Sequence, residues 1–160
     1  MPRDHPPAQH RLRIGRWSLA GRCYFVTTNC DPGGPGLADG ACRTLVQEGV
    51  HGLLGRGACR LDAYVVMPTH VHILFVLAET KSLSDTMRDF KKYTALRANR
   101  RLGRTGEFWL EGFHDHAIRS HKDYLRHLEY ILKNPVREGL VREGEQYRYL
   151  GWGPWEEPEG

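Results

Sequence analysis

The order of strand-like and helix-like segments, β-α-β-β-α-β-α, predicts an α+β fold, an antiparallel sheet with helices packed on it, and its first six elements follow the split pattern of ferredoxin-like domains. Two observations support a single such domain. The chain has 160 residues, 40% hydrophobic and 26% charged, enough to bury a sizeable core and too apolar for a wholly disordered chain. Two densely apolar strand-like segments also follow one another with only Pro68-Thr69 between them.

Residues 1–14 read as a loose basic arm (Arg3, Arg11, Arg13), residues 15–150 as the domain and residues 151–160 as an irregular acidic tail. Cys23 to Thr28 is β-branched and aromatic, a strand composition. The Pro- and Gly-rich run 31–36 is a loop. Leu45, Val46, Val50, Leu53 and Leu54 keep helical spacing, which predicts a helix over 40–55 ending near Gly55 or Gly57. Arg60 to Met67 and His70 to Leu77 are the central strand pair. Ser82 or Ser84 caps a helix to about Asn99, with Leu83, Met87, Phe90 and Thr94 on one face. Phe113 to Arg119 is a further strand, and Ser120 caps a last helix that Pro135 is expected to stop near Asn134.

Several function classes fall away. The longest apolar stretch, Val71 to Ala78, is interrupted by His72 and is shorter than the ~20 residues of a membrane span. The first residues hold no apolar run of the secretory type, so a cytoplasmic chain is expected. The four cysteines form no CxxC pair and read as reduced packing residues, neither bridged nor zinc-binding.

The net charge of +4 favours nucleic acid or another anionic partner. Arg88, Lys91, Lys92, Arg97, Arg100, Arg101 and Arg104 crowd into one helix and the loop after it, offset by Asp85 and Asp89. They form either a solvated surface or a phosphate-binding patch, with Tyr93, Phe108 and Trp109 as candidates to stack on unpaired bases.

Two constellations carry metal chemistry. In a strand, His70 and His72 project from the same face while Val71 points away, a natural bidentate pair for a metal unless they simply face solvent. His114-Asp115-His116 has the same spacing, with His121 and His127 nearby in sequence, and is a rival. On a helical wheel Tyr124, Leu125, Leu128, Ile131 and Leu132 share the side expected to be buried, and Asp123, His127, Tyr130 and Asn134 share the other. Tyr130 is there an ordinary surface tyrosine or one held ready for use, one turn before Asn134.

Tyr64-Val65-Val66-Met67-Pro68-Thr69-His70-Val71-His72-Ile73-Leu74 resembles the HUH motif region of the single-tyrosine transposases. Tyr130-Ile131-Leu132-Lys133-Asn134-Pro135-Val136-Arg137-Glu138-Gly139-Leu140-Val141 resembles the tyrosine helix of their REP-associated branch. Gly106 to Ile118 and Gly21 to Thr28 match that branch too, so the resemblance spans roughly residues 15–150. Thr69 departs from the asparagine more usual before the first histidine, a change in the turn and not in a proposed ligand.

The resemblance implies a ferredoxin-like fold whose histidines lie under the tyrosine helix. It implies Mg2+ or Mn2+ held by His70, His72 and Asn134, and cleavage of single-stranded DNA near a hairpin through a 5′-phosphotyrosine on Tyr130. A phenol ionises near pH 10, so Tyr130 needs a proton acceptor, for which His127 is the candidate. It also implies nucleoid association; relatives include helix-swapped dimers and monomers, and the short chain favours a monomer. Two rival functions stay open: a nucleic-acid-binding module without catalysis on the same fold, and a metal-dependent hydrolase built on His114 and His116.

Overall fold

The computed structural model of the chain describes residues 21–55 and 59–153; the expected basic arm and residues 154–160 of the tail lie outside that range. In chain order the elements are β1 (Cys23–Asn29), α1 (Gly40–Gly55), β2 (Cys59–Val66), β3 (His70–Leu77), α2 (Leu83–Leu102), β4 (His114–Ala117), α3 (His121–Arg137) and β5 (Leu150–Trp152). The sheet order is β4-β1-β3-β2-β5, and every neighbouring pair is antiparallel. The first four of these strands have the ferredoxin-like arrangement expected from the element order. The tail expected to be irregular from residue 151 begins instead as an edge strand, with Gly151 opposite Tyr64 and Trp152 opposite Ala63.

Strand alternation sorts the side chains into two layers. Tyr24 and Val26 of β1, Val71, Ile73 and Phe75 of β3, and Leu61, Tyr64 and Val66 of β2 face one core. Above them lie Cys42, Val46, Val50 and Leu53 of α1 and Leu83, Met87, Phe90 and Ala98 of α2. The opposite face of the sheet carries a smaller core of Ala63, Val65, Met67, Leu74 and Ile118, closed by Ile131 of α3. β3 is thus covered on both sides, which explains its nearly continuous burial.

The caps account for the helix ends. Ser82 accepts from the Asp85 N–H at the start of α2. Gly103, at φ 66°, closes its far end three residues beyond the expected Asn99, and the left-handed conformation there is one glycine adopts without a Cβ penalty. Ser120 accepts from Asp123 N–H at the start of α3. Pro135 does not stop α3. Its missing N–H forfeits one bond to Ile131, but the loss falls in the last turn, where Glu138 N–H donates to Asn134 O at 2.9 Å and Leu140 N–H to Pro135 O at 2.8 Å.

The four cysteines are free. Cys30 and Cys59 are buried, and burial pushes both thiols up to about 12, so they act as small apolar packing groups. No described helix is long and apolar enough to cross a membrane.

Gly49 sits where α1 crosses α2. A Cβ there would stand 2.5 Å from Thr94 Cγ2. Thr94 cannot easily turn aside, since its hydroxyl donates to Phe90 O at 2.8 Å and accepts from Trp109 Nε1 at 3.0 Å. Gly49→Ala should therefore lower stability by about 1–3 kcal/mol, the usual range for overpacking a tight core. A shift of the urea unfolding midpoint checks this; an unchanged midpoint would mean the helices separate without cost.

Candidate active site

The two-residue turn at Pro68-Thr69 starts β3 at His70, with Met67 N–H donating to His70 O at 2.8 Å. Period two then turns His70, His72 and Leu74 toward α3. His72 is 5% exposed and His70 half-buried, with ring centroids 4.7 Å apart. Thr27 lies opposite His72 across the β1–β3 ladder, and a 2.8 Å hydrogen bond joins its hydroxyl to His72 Nδ1. The Thr69 hydroxyl is bonded in the same way to His70 Nδ1 at 3.0 Å. With each Nδ1 engaged, each Nε2 is the nitrogen left to act, and the partner hydroxyls fix the ring orientations.

α3 is turned differently from the expected apolar stripe. Its buried residues are Asp123, Ile131, Asn134 and Pro135, while Leu125 is 47% exposed. The helix is therefore rotated so that part of its polar side meets the sheet. One contact that holds this setting is the Tyr124 hydroxyl, which donates to Asp62 Oδ2 at 2.9 Å, next to the register shift of β2 between Leu61 and Ala63. This rotation brings Asn134 inside, 1% exposed, and sets Tyr130 at the margin, 41% exposed.

The Tyr130 ring stands 5.3 Å from the His72 ring at 74° and 6.1 Å from Phe25 at 82°. The Arg137 guanidinium lies 4.6 Å from its ring centroid, within cation–π range. His72 Nε2 and Asn134 Oδ1 are both buried without a hydrogen-bond partner among the described residues. Such atoms are costly unless something takes their lone pairs. Burial first, then His70 and Arg137, pushes His72 down to about 3. Burial also lowers His70, against the opposing charge of Glu138. Both imidazoles are thus neutral near pH 7. Two neutral imidazoles and an amide oxygen are donors that a divalent ion accepts, so the residues present fit such an ion.

Beside this group lies a second cluster. His116 Nε2 is 2.8 Å from Asp123 Oδ2, which also accepts from Arg119 N–H at 2.9 Å. His127 Nδ1 is 3.1 Å from Asp123 Oδ1 and 2.8 Å from the Asp123 carbonyl. Burial works against ionisation of Asp123, but His116, the Arg119 N–H and His127 outweigh it and hold the carboxyl below its ordinary range. His114, expected as the partner of His116, is exposed on the edge strand, and the structure pairs His116 with Asp123 and His127 instead.

The basic residues lie elsewhere. Arg88, Lys91, Lys92, Arg97, Arg100 and Arg101 are on α2, and Arg104 follows it, on the sheet face opposite His70 and His72. Four of the seven have internal partners: Arg88 with Asp85 at 3.0 Å, Lys91 with the Leu110 and Gly112 carbonyls, Arg97 with the Tyr93 hydroxyl, and Arg104 with Asn99. Lys92, Arg100 and Arg101 are exposed. Phe108 and Trp109 do not stack on an incoming base: they are 1% and 4% exposed and belong to the core. Their apolar bulk outweighed their position beside a basic loop.

Sequence patterns alone did not single out Thr27, Phe25 or Arg137. Thr27 and Phe25 alternate with the buried Val26 on β1, which signals a second face but not what covers it.

The profile of the family described as "Transposase IS200 like" matches residues 36–134, a span that holds His70, His72, Tyr130 and Asn134. The chain belongs to this transposase family. Over 84 residues it is 34% identical to the REP-associated tyrosine transposase of Escherichia coli (strain K12), covering 52% of this chain and 48% of that protein. A relative in Haemophilus influenzae is 31% identical over 103 residues, covering 54% of this chain and 55% of its own length. The matches thus span about half the length of these curated relatives. The solved structure of a REP-associated tyrosine transposase bound to a REP hairpin superposes with a TM-score of 0.70 at 26% identity, covering 87% of this chain and 81% of that one.

Acid titration gives a direct check on this site. His72 is folded in its neutral form, so unfolding takes up a proton once the pH is below its ordinary 6.5. Its contribution is complete above pH 6.5 and is lost as the pH falls toward about 3. The urea midpoint should decline across that window, and less steeply in His72→Gln. Equal slopes in the two proteins would contradict the burial of a neutral imidazole.

Proposed function

We propose that this transposase-family chain cleaves and rejoins single-stranded DNA beside a hairpin, with Tyr130 as nucleophile and a divalent ion, Mg2+ or Mn2+, on His70, His72 and Asn134. The observation that carries this reading is the pair of orphaned buried atoms, His72 Nε2 and Asn134 Oδ1, beneath an exposed tyrosine whose ring contacts His72.

In this reading His70, His72 and Asn134 would hold the ion, and the Thr27 and Thr69 bonds to each Nδ1 would fix the ring orientations and leave each Nε2 as the donor. A bound ion supplies Lewis-acid polarisation and positioning of the scissile phosphate. Phe25 and Arg137 bracket the Tyr130 ring and limit its rotation. The phenolic oxygen attacks phosphorus, the bond from phosphorus to the 3′ oxygen breaks, and the 5′ side stays on Tyr130 while the 3′ oxygen takes a proton from solvent water and leaves as a hydroxyl. The phenolic proton passes to His127 Nε2, one turn earlier on α3, through water, while Asp123 engages the Nδ1 side. Because the phosphodiester is conserved in the adduct, an incoming 3′ hydroxyl reverses the step and joins strands without a nucleotide cofactor.

DNA as substrate is supported by family membership and by the hairpin bound to the related structure. Lys92, Arg100 and Arg101 are the residues most available for phosphate, with Arg88, Lys91, Arg97 and Arg104 around them.

Labelled single-stranded DNA carrying a repeat hairpin should give a covalent band at protein mass on a denaturing gel with Mn2+. Tyr130→Phe should remove the band and leave DNA binding nearly intact; an adduct surviving that change would exclude Tyr130. A native-gel shift with no adduct in the unaltered protein would instead favour a binding module. Thr27→Val should retain the adduct but raise the Mn2+ concentration required by about 10–100-fold, the usual effect of losing a ligand's supporting hydrogen bond. An unchanged Mn2+ requirement would remove Thr27 from the positioning role.

A further inference from the structure

The geometry points to a second metal site in this chain: we propose that His116, Asp123 and His127 bind a transition-metal dication, zinc above all, and clamp β4 to the start of the tyrosine helix. This site is separate from the one assigned to His70, His72 and Asn134 and needs no DNA.

The ligand atoms come from two consecutive elements, β4 and α3, joined by residues 118–120. His116 projects from β4 on the side of Phe25, its partner in the β1–β4 register. Asp123 and His127 are one turn apart on α3. One nitrogen from each imidazole and one carboxylate oxygen lie within 4.8 Å of one another. A tetrahedral zinc with bonds of about 2.0–2.2 Å separates its ligands by roughly 3.3 Å, so small ring rotations close the group on an ion. His116 and His127 are already stacked, at 4.6 Å and 18°. Their side chains are 40% and 19% exposed, while Asp123 is 11% exposed. An ion therefore has an approach from solvent. Asp123 Oδ2 also accepts from Arg119 N–H at 2.9 Å, which leaves its second lone pair and Oδ1 for an ion. The Arg126 guanidinium, 3.9 Å from Oδ1 and 67% exposed, is a weak hold.

Charge separates the two sites. His70, His72 and Asn134 offer no negative charge, so an ion there gains most when a DNA phosphate completes its surroundings. The His116 group brings the Asp123 carboxylate and half-neutralises a dication by itself. Two nitrogens and one carboxylate also suit zinc, nickel or cobalt better than magnesium. An ion held on His127 Nδ1 would leave the ring's proton on Nε2, so a filled clamp and a His127 that accepts the Tyr130 proton exclude one another.

The test uses the untagged, metal-stripped full chain without DNA, titrated with Zn2+ by calorimetry and with Co2+ by visible absorption. One tight equivalent is expected, with the absorption of a low-coordinate nitrogen–oxygen site. His116→Gln, a partly exposed change, should weaken Zn2+ at least tenfold and abolish the Co2+ spectrum, and Asp123→Asn should do the same. His70→Ala with His72→Ala should leave both signals intact. Unchanged affinity in His116→Gln, loss of the signals in the His70/His72 double variant, or a thiolate charge-transfer band from the cysteines would each overturn the proposal. Failure of the adduct assay would leave it standing, because no step of the binding test depends on Tyr130 or DNA.

Discussion

The antiparallel register of β1 on β3 is the constraint on which the rest of the structure depends. Thr27 pairs with His72, Phe25 with Leu74 and Val26 with Ile73. Side chains alternate with period two, so a slip of one residue on β3 would send Val71 and Ile73 toward α3 and bury His70 and His72 among the side chains of α1 and α2. The large core under α1 and α2 holds the register because Val26, Val71, Ile73 and Phe75 are all fully buried there. The polar site on the opposite face is thus fixed by apolar packing that it does not share.

α3 carries the opposing demand. An amphipathic helix would bury Leu125 with Leu128 and Ile131, yet Leu125 faces solvent and Asn134 is inside. Ile131 anchors the helix against Ala63, Val65, Met67 and Leu74, and the Tyr124 bond to Asp62 sets its rotation. His72 Nε2 and Asn134 Oδ1, buried without partners among the described residues, each cost about 1–3 kcal/mol. A fold tolerates that cost most readily where the atoms await a ligand, as ion-binding donors do.

The charged and aromatic residues around α2 follow a different rule. A run of cations looks continuous along the chain, but the helix distributes it, and Asp85, Asn99, the Tyr93 hydroxyl and two backbone carbonyls take four of the seven. Phe108 and Trp109 close the core behind α2, where Trp109 Nε1 donates to Thr94. The proximity of aromatic and basic residues in sequence therefore overstates the surface they present together.

The sequence by itself determined the order of the first seven elements, though not β5, and the positions of His70 and His72 on a shared strand face and of Tyr130 and Asn134 on a shared helix side. Those follow from local periods of two and 3.6, which depend only on the backbone. It also carried the cap at Ser120 and narrowed the α2 cap to Ser82 or Ser84, of which the structure uses Ser82; both cap hydrogen bonds span three residues. Only the tertiary structure decided which side of α3 meets the sheet, that the helix continues through Pro135, that His116 joins Asp123 and His127 and not His114, and that Thr27, Phe25 and Arg137 surround the site. The rotation of α3 and the place of Thr27 and Phe25 depend on contacts between elements far apart in the chain. The His116 contact and the passage through Pro135 are local, but they depend on how the chain turns from β4 into α3 and on the bonds of the last helical turn, which no period of two or 3.6 encodes.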